Sequence, residues 1–387
     1  MQISSEGHSC VGWLLLFLSF ALPSSFAGSG ERLTAVGGGL EGKTIVKFVA
    51  KFDALEAASA VERWKTYTNE HGNLAWGTSY LLDAYLDMFE ATRDRRYLDK
   101  FTVFADALAE RTDAQRGLTD YKGRKRVGWG AVSYSKAGER IVWLVHTGMI
   151  TFPLARFALI VSEASALRDL ADTAKRLQNL AEAALHEFDG QWRYDPVSGL
   201  GHYVYEDDEP HDDVAGPEMP VPFNQQLAAG RAYIILWKLT GNSAYREKAE
   251  GLARHFKKHL RLDSTGAYEW DSWYDRGLAR HGGREDISHG AIDVDFAVLA
   301  AGEDMVFARE DLARFALAFF RETSTSEGKM LKPSDAAGRW LGLAQVECGV
   351  HRVVSLYLMS KTGARHPQVL LGLAKLTKYA TRCVEQQ

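Results

Sequence analysis

The sequence predicts an all-α chain of antiparallel helix pairs that close on themselves, an (α/α) toroid of five to seven helical hairpins. Three observations predict it. Apolar segments alternate with amphipathic ones from about residue 45 to 380. One short turn recurs between the partners of separate pairs. Hairpins whose inner faces cannot be buried alone must stack on their neighbours. The apolar segments are rich in small residues on several sides, which suits crowding around a ring better than an open solenoid.

The elements follow in order. Residues 74–90 (LAWGTSYLLDAYLDMFE) are apolar on more than one face, and 97–110 (YLDKFTVFADALAE) are amphipathic. A helix apolar all round is buried, and one with a polar face lies outside. The pair therefore reads as inner helix, turn, outer helix. The pattern returns as 147–163 with 167–187, 224–239 with 245–259, 290–301 with 309–321, and 343–359 with 367–379. A poorer sixth pair is expected in 45–67. The turns Glu90-Ala-Thr-Arg-Asp-Arg-Arg-Tyr97 and Trp237-Lys-Leu-Thr-Gly-Asn-Ser-Ala-Tyr245 are alike, each with a Tyr three residues past an Asp or Asn.

The amino-terminal end reads differently. Residues 13–22 (WLLLFLSFAL) form a short apolar run, followed by Pro23 and the small residues Ser25 and Ala27 flanking Phe26. This is the h-region and cleavage site of an export signal, although no Lys or Arg precedes it. The run is too short to span a bilayer, and no stable membrane span is expected later. The expected division is a signal peptide at 1–27, a leader at 28–44 and one catalytic domain at 45–387, acting in the periplasm or outside the cell. Cys10 leaves with the signal, so Cys348 and Cys383 remain, either paired or free. Two cysteines make no disulfide framework, and their spacing suggests no zinc site.

Composition narrows the function. A net charge of −4 argues against nucleic acid as a partner, which needs a basic face. Ten Trp and fifteen Tyr supply flat apolar faces with a polar edge, suited to sugar rings. There is no phosphate-binding Gly loop and no HExxH or G-x-S-x-G signature, and no cofactor or metal site is expected. The acidic run 206–213 (EDDEPHDD) lacks the ordered spacing of a calcium loop and reads as a solvated loop.

Three long loops, 112–140, 191–223 and 264–288, all run from an outer helix to the next inner one. They therefore share one end of the ring, where the inner helices begin, and long loops are commonly functional. Polar residues stand at the inner starts: His146, Asn224 with Gln225, His289, and Glu347 with His351 one turn on. Each alone reads as a cap or a satisfied core group. Their recurrence at equivalent places points to a shared ligand funnel, because polar residues heading buried helices need partners. Residues 268–295 add Trp270, Trp273, Tyr274 and Arg284. The two Trp are candidates for a sugar floor or for loop packing. Arg284 is a candidate for forked carboxylate binding or for a local salt bridge.

Hairpin repeats, the Leu-Thr-Gly-Asn turn, the Asn224-Gln225 start and Arg284-Glu-Asp-Ile-Ser-His289 resemble the (α/α)-toroid carbohydrate enzymes. These include uronate polysaccharide lyases such as alginate and glucuronan lyases, the helical domain of glucuronyl C5-epimerases, and six-hairpin glycosidases. The resemblance implies an acidic polysaccharide or oligosaccharide substrate and cleavage by β-elimination after C5 proton abstraction. It implies Asn224 and Arg284 on the carboxylate, His289 as base and Tyr274 as acid, with Tyr134 a rival for the acid. His146, Gln225, Trp270, Trp273, Tyr134, Glu347 and His351 are then expected to bind substrate. The adjacent Asn-Asn-His of alginate lyases is absent. A glycosidase, a C5-epimerase and a non-catalytic polysaccharide-binding toroid are the alternatives.

Overall fold

A computed structural model describes residues 40–211, 216–274, 283–323, 335–363 and 366–380. The expected signal peptide, nearly all of the leader and Cys383 lie outside the described residues. Eleven α-helices are described: α1 (Leu40–Ala58), α2 (Ser79–Thr92), α3 (Arg96–Ala109), α4 (Leu144–Glu163), α5 (Ala171–His186), α6 (Phe223–Thr240), α7 (Ser243–His259), α8 (Gly290–Gly302), α9 (Arg309–Thr323), α10 (Cys348–Ser360) and α11 (Pro367–Tyr379). A tighter 3-10 stretch, Asp335–Gln345, precedes α10. Two small antiparallel sheets pair β1 (Trp192–Asp195) with β2 (Leu200–Tyr203), and β3 (Arg261–Leu262) with β4 (Tyr268–Glu269).

Burial separates two layers. Ser79 through Phe89 of α2 are all buried, as are most positions of α4, α6, α8, Asp335–Gln345 and α11. In α3, α5, α7 and α9 only one stripe is buried. The inner elements close a circle: α2 packs on α4, α4 on α6, α6 on α8, α8 on Asp335–Gln345, that stretch on α11, and α11 back on α2. Each of α3, α5, α7, α9 and α10 backs the inner element before it, and α1 backs α11. The fold is thus an (α/α) toroid of six pairs, with the last pair made from the two ends of the described chain. By length and composition α4 could cross a bilayer, but here it is an inner helix whose surface is mostly covered by its neighbours.

Two elements sit differently from expectation. The expected inner segment 343–359 is broken at Glu347, whose Oε1 accepts the Gly349 N–H (3.0 Å) and caps α10. The inner element is Asp335–Gln345, and α10 is the outer one. The expected outer segment 367–379 is inner, and its partner is α1. The physical reason is close approach: a Cβ on Gly338 would lie 2.4 Å from the Gly372 Cα. Only glycines let these two backbones touch. Gly148 of α4 likewise rests on the backbone of Ala228 and Ala229 in α6.

The recurrent turn behaves as one device. Asn242 Oδ1 accepts the Ala244 N–H (3.0 Å), and Asp94 Oδ1 accepts the Arg96 N–H (3.0 Å), each starting an outer helix. Tyr97 and Tyr245 are both buried behind these caps. Gly241 takes φ +70° to end α6, the left-handed geometry that glycine adopts freely.

All six inner elements send charge to the axis of the ring. Asp83, Asp87 and Glu90 come from α2, Arg156 from α4, Arg231 from α6, Asp295 from α8, Arg339 from Asp335–Gln345, and Lys375 with Lys378 from α11. Arg156 reaches Asp83, Asp87 (2.9 Å) and Glu90 (3.1 Å). Arg231 meets Asp295 at 2.8 Å, Lys375 meets Asp87 at 3.2 Å, and Lys378 meets Asp87 at 3.1 Å. These cations hold the Asp87 and Asp295 carboxyls below their ordinary values against the opposing effect of burial.

Candidate functional site

Every inner element begins at one end of the ring, and the long connections gather there. At that end the heads of α2 and α11 frame a cleft of about 370 Å³. A single π-turn, Leu74–Thr78, leads into α2 and places Trp76 and Gly77 on its wall. Pro367, in the first turn of α11, forms the facing edge. Trp64 and Tyr67 stack on each other at one side (6.4 Å, 18°). His71, Gly72, Asn73 and Tyr134 complete the lining. Four aromatic rings, an imidazole and an amide thus share one opening, the surface expected of a sugar subsite.

Backbone contacts fix the two loops that carry these groups. Val132 and Ser133 donate their N–H groups to the Glu70 carbonyl (3.0 and 3.1 Å). His71 Nδ1 lies 2.8 Å from Ser133 Oγ. Tyr134 follows with φ +73° and an exposed side chain. A left-handed conformation costs a residue other than glycine about 1–2 kcal/mol. Strain held on an exposed phenol beside an imidazole marks Tyr134 as a functional candidate.

Behind the cleft, His146 is buried in the first turn of α4. The Asn69 amide settles its tautomer. Asn69 Oδ1 accepts the Ala75 N–H (3.2 Å), and its Nδ2 donates to the Trp129 carbonyl (2.7 Å). The same Nδ2, 3.1 Å from His146 Nδ1, can only donate there. His146 Nδ1 is therefore the acceptor and Nε2 carries the proton. Burial pushes this imidazole down to about 3, so it is neutral near pH 7. Its ring meets Trp76 (5.4 Å) and Tyr134 (6.0 Å) edge-on. His146 orients two walls of the cleft at once.

The other expected site residues fall in three places. Asn224 is buried in the first turn of α6, and Gln225 Oε1 accepts the Tyr205 hydroxyl (3.1 Å). At the head of α8, three steps around the ring from α2, His289 Nδ1 contacts Asp286 Oδ2 (2.6 Å). Arg284 there donates to Glu322 Oε1 (2.5 Å) rather than to its neighbours Glu285 or Asp286, the expected local salt bridge. Trp270 and Trp273 are buried, and their indole N–H groups go to Asp293 Oδ2 (2.9 Å) and the Pro220 carbonyl (2.8 Å). Of the two alternatives, loop packing describes Trp270, while Trp273 is buried with one side on a small cavity. Glu347 and His351 begin an outer helix and so lie at the opposite end of the ring. The expected bowl of Asn224, His289 and Glu347 does not form.

The acidic run also departs from expectation. Glu206 accepts Tyr121 (2.9 Å) and Arg124 (2.8 Å) and pairs with Lys122 (2.6 Å), and these donors hold it down to about 2. Glu209 is buried and pushed up to about 8. Over the described residues 206–211 this loop is docked through Glu206 and Glu209, while Asp207 and Asp208 stay exposed. The sequence reading missed His71, Asn73, Trp64, Tyr67 and Trp76. The signal for His71 and Asn73 was present in Asn69-Glu-His-Gly-Asn73, polar residues just before the first inner segment, as at the other inner starts.

A second cavity, about 270 Å³, lies between Phe223, His259, Arg261, Asp271, Trp273 and Tyr274. Tyr274 packs there against His255 (4.4 Å), His259 (5.1 Å) and His202 (5.9 Å), and His202 stacks on His255 (4.9 Å). Burial, then the neighbouring histidines, pushes His255 down to about 2. An imidazole depressed in the folded chain contributes stability above its unfolded value of about 6.5, and this is lost as pH falls toward the folded value. Glu209, Glu285 and Asp293 are raised by burial to about 8, 9 and 8 and act with the opposite sign. The expected result is therefore a difference. The stability advantage of wild type over His255→Leu shrinks by about 2–3 kcal/mol between pH 7 and pH 4.5. Urea unfolding at both pH values measures it, and a constant advantage refutes the assignment.

No protein-family model matches the chain, and no curated protein matches its sequence. Solved structures with a similar chain path do exist. A family 76 glycoside hydrolase from a bovine Bacteroides thetaiotaomicron strain aligns at TM-score 0.47 and 14% identity, over 81% of this chain and 69% of its own. Cellobiose 2-epimerase from Spirochaeta thermophila DSM 6192 aligns at 0.48 and 16%, over 79% and 85%. A family 105 glycoside hydrolase from C. acetobutylicum ATCC 824 aligns at 0.40 and 12%, over 85% and 98%. These are likenesses in chain path alone.

Proposed function

We propose that the chain is an exported carbohydrate-active enzyme that cleaves a uronate-containing polysaccharide by β-elimination in the cleft between α2 and α11. One observation carries this reading. An imidazole, a phenol and an amide share an aromatic cleft, and none of its described lining residues is a carboxylate. Hydrolysis of a glycosidic bond ordinarily uses two carboxylates, whereas elimination needs a base, an acid and a group that offsets the substrate's carboxylate.

The steps are assigned accordingly. Asn73 binds the uronate carboxylate, which makes the C5 proton more acidic. His71 takes that proton; the tautomer that donates from Nδ1 to Ser133 leaves a lone pair on Nε2. The C5 electron pair forms the C4–C5 double bond as the C4–O bond breaks. Tyr134 gives its proton to the departing oxygen. Trp64, Tyr67 and Trp76 carry the sugar rings, and His146 holds Trp76 and Tyr134 in place. This moves the acid and base from His289 and Tyr274 to the cleft. Export is supported by the apolar run at 13–22.

The test is incubation with a panel of uronate polymers under ultraviolet monitoring. Elimination yields a conjugated product that absorbs. New reducing ends without absorbance identify a hydrolase, and exchange of C5 hydrogen with heavy water without cleavage identifies an epimerase. Binding with none of these leaves a non-catalytic toroid.

A further inference from the structure

At the head of α8, across the ring from the cleft, Glu285, Asp286 and His289 each offer a ligand atom, all within 4.8 Å of one another. The segment is tightly wound. Asp286 Oδ1 accepts the N–H groups of Ser288 (2.6 Å) and His289 (2.9 Å), and the Gly290 N–H returns to the Asp286 carbonyl (2.9 Å). Asp286 Oδ2 and His289 Nδ1 are 2.6 Å apart, and Glu285 Oε1 is 4.0 Å from the same nitrogen.

A second observation comes from below. The Glu285 side chain is only 4% exposed; its Oε1 accepts the Asp286 N–H (3.1 Å), and its Oε2 has no hydrogen-bond partner among the described residues. One turn into α8, Asp293 is fully buried. Its Oδ2 takes the Trp270 indole N–H (2.9 Å), and its Oδ1 has no partner among the described residues. Buried carboxylate oxygens normally find donors or cations, because leaving them bare costs several kcal/mol. Arg284, the adjacent cation, turns away to Glu322. Glu285 and Asp286 therefore share one imidazole, with the buried Asp293 carboxyl one turn below.

We infer that Glu285, Asp286 and His289 bind a divalent transition-metal cation, with Asp293 beneath them as a supporting carboxylate. One nitrogen and several carboxylate oxygens suit zinc or manganese, whereas calcium takes oxygen ligands. The floor is rigid. A Cβ at Gly290 would lie 3.1 Å from Trp270, 3.5 Å from Glu285 and 3.5 Å from Trp340, so the Glu285 stem is held between fixed groups. The indole N–H on Asp293 is the kind of outer contact that orients carboxylates at a metal site.

The experiment uses the full chain, stripped with chelator and titrated with Zn²⁺ or Mn²⁺ by calorimetry, with the thermal midpoint as a second readout. One ion per chain is expected, with a raised midpoint. Asp286→Asn and His289→Ala change exposed side chains and keep the fold, and each is expected to weaken binding at least tenfold. Glu285→Gln is expected to abolish the midpoint shift while circular dichroism remains unchanged. Absence of saturable binding in wild type overturns the site. So does binding that survives both Asp286→Asn and His289→Ala unchanged.

Discussion

Replacing Arg156 with alanine is expected to lower the free energy of unfolding by about 3–5 kcal/mol, the range seen when one partner of a buried ion pair is removed. Arg156 faces Asp83, Asp87 and Glu90 on α2, and its own side chain is 7% exposed. Its loss leaves Asp83 and Asp87 almost wholly buried, with Lys375 and Lys378 as the remaining cations. A water-exposed carboxylate would simply rehydrate, but these two cannot. The matching control is Asp169→Asn, which breaks the exposed pair with Arg95 and is expected to change little. Urea unfolding measures both. If Arg156→Ala costs no more than the surface control, the charges at the axis do not hold the ring closed.

The second large effect is on chemistry. Tyr134→Phe removes one oxygen from an exposed ring and keeps its contact with His146. It is expected to unfold like wild type and to lose about 10²–10⁴-fold in turnover, the range for a general acid or base. His71→Ala is expected to lose a similar factor. Trp76→Ala is expected to act mainly through KM, because it removes a stacking face and no proton donor. Initial rates on the best uronate polymer decide the matter. Activity within tenfold of wild type in Tyr134→Phe would remove the acid from the cleft and return the question to the residues around α8.

The parts legible in sequence are those governed by local spacing. The alternation of wholly apolar and one-faced segments gave the inner and outer layers for four pairs in register, because burial on all sides and burial on one stripe leave different patterns. The shared turn was equally plain, since a side-chain cap and a buried Tyr three residues on are both local. The last two pairs were misread where the pattern is not local. Asp335–Gln345 is rich in small residues and reads as a weak helix, yet Gly338 earns its inner place by touching Gly372. α1 finds its partner α11 some 300 residues away, which no neighbouring pattern announces.

By itself the sequence determined a ring of helix pairs with its long loops at one end, because periodicity and turn chemistry are properties of contiguous residues. Only the tertiary structure decided which polar groups meet. It joined His71 to Ser133, 62 residues away and next to Tyr134, and fixed the His146 tautomer through Asn69. It also turned Trp270 and Trp273 inward by giving their N–H groups buried acceptors. The physical reason is that a side chain's role depends on its desolvation and its partner, and both are set by segments distant in the chain.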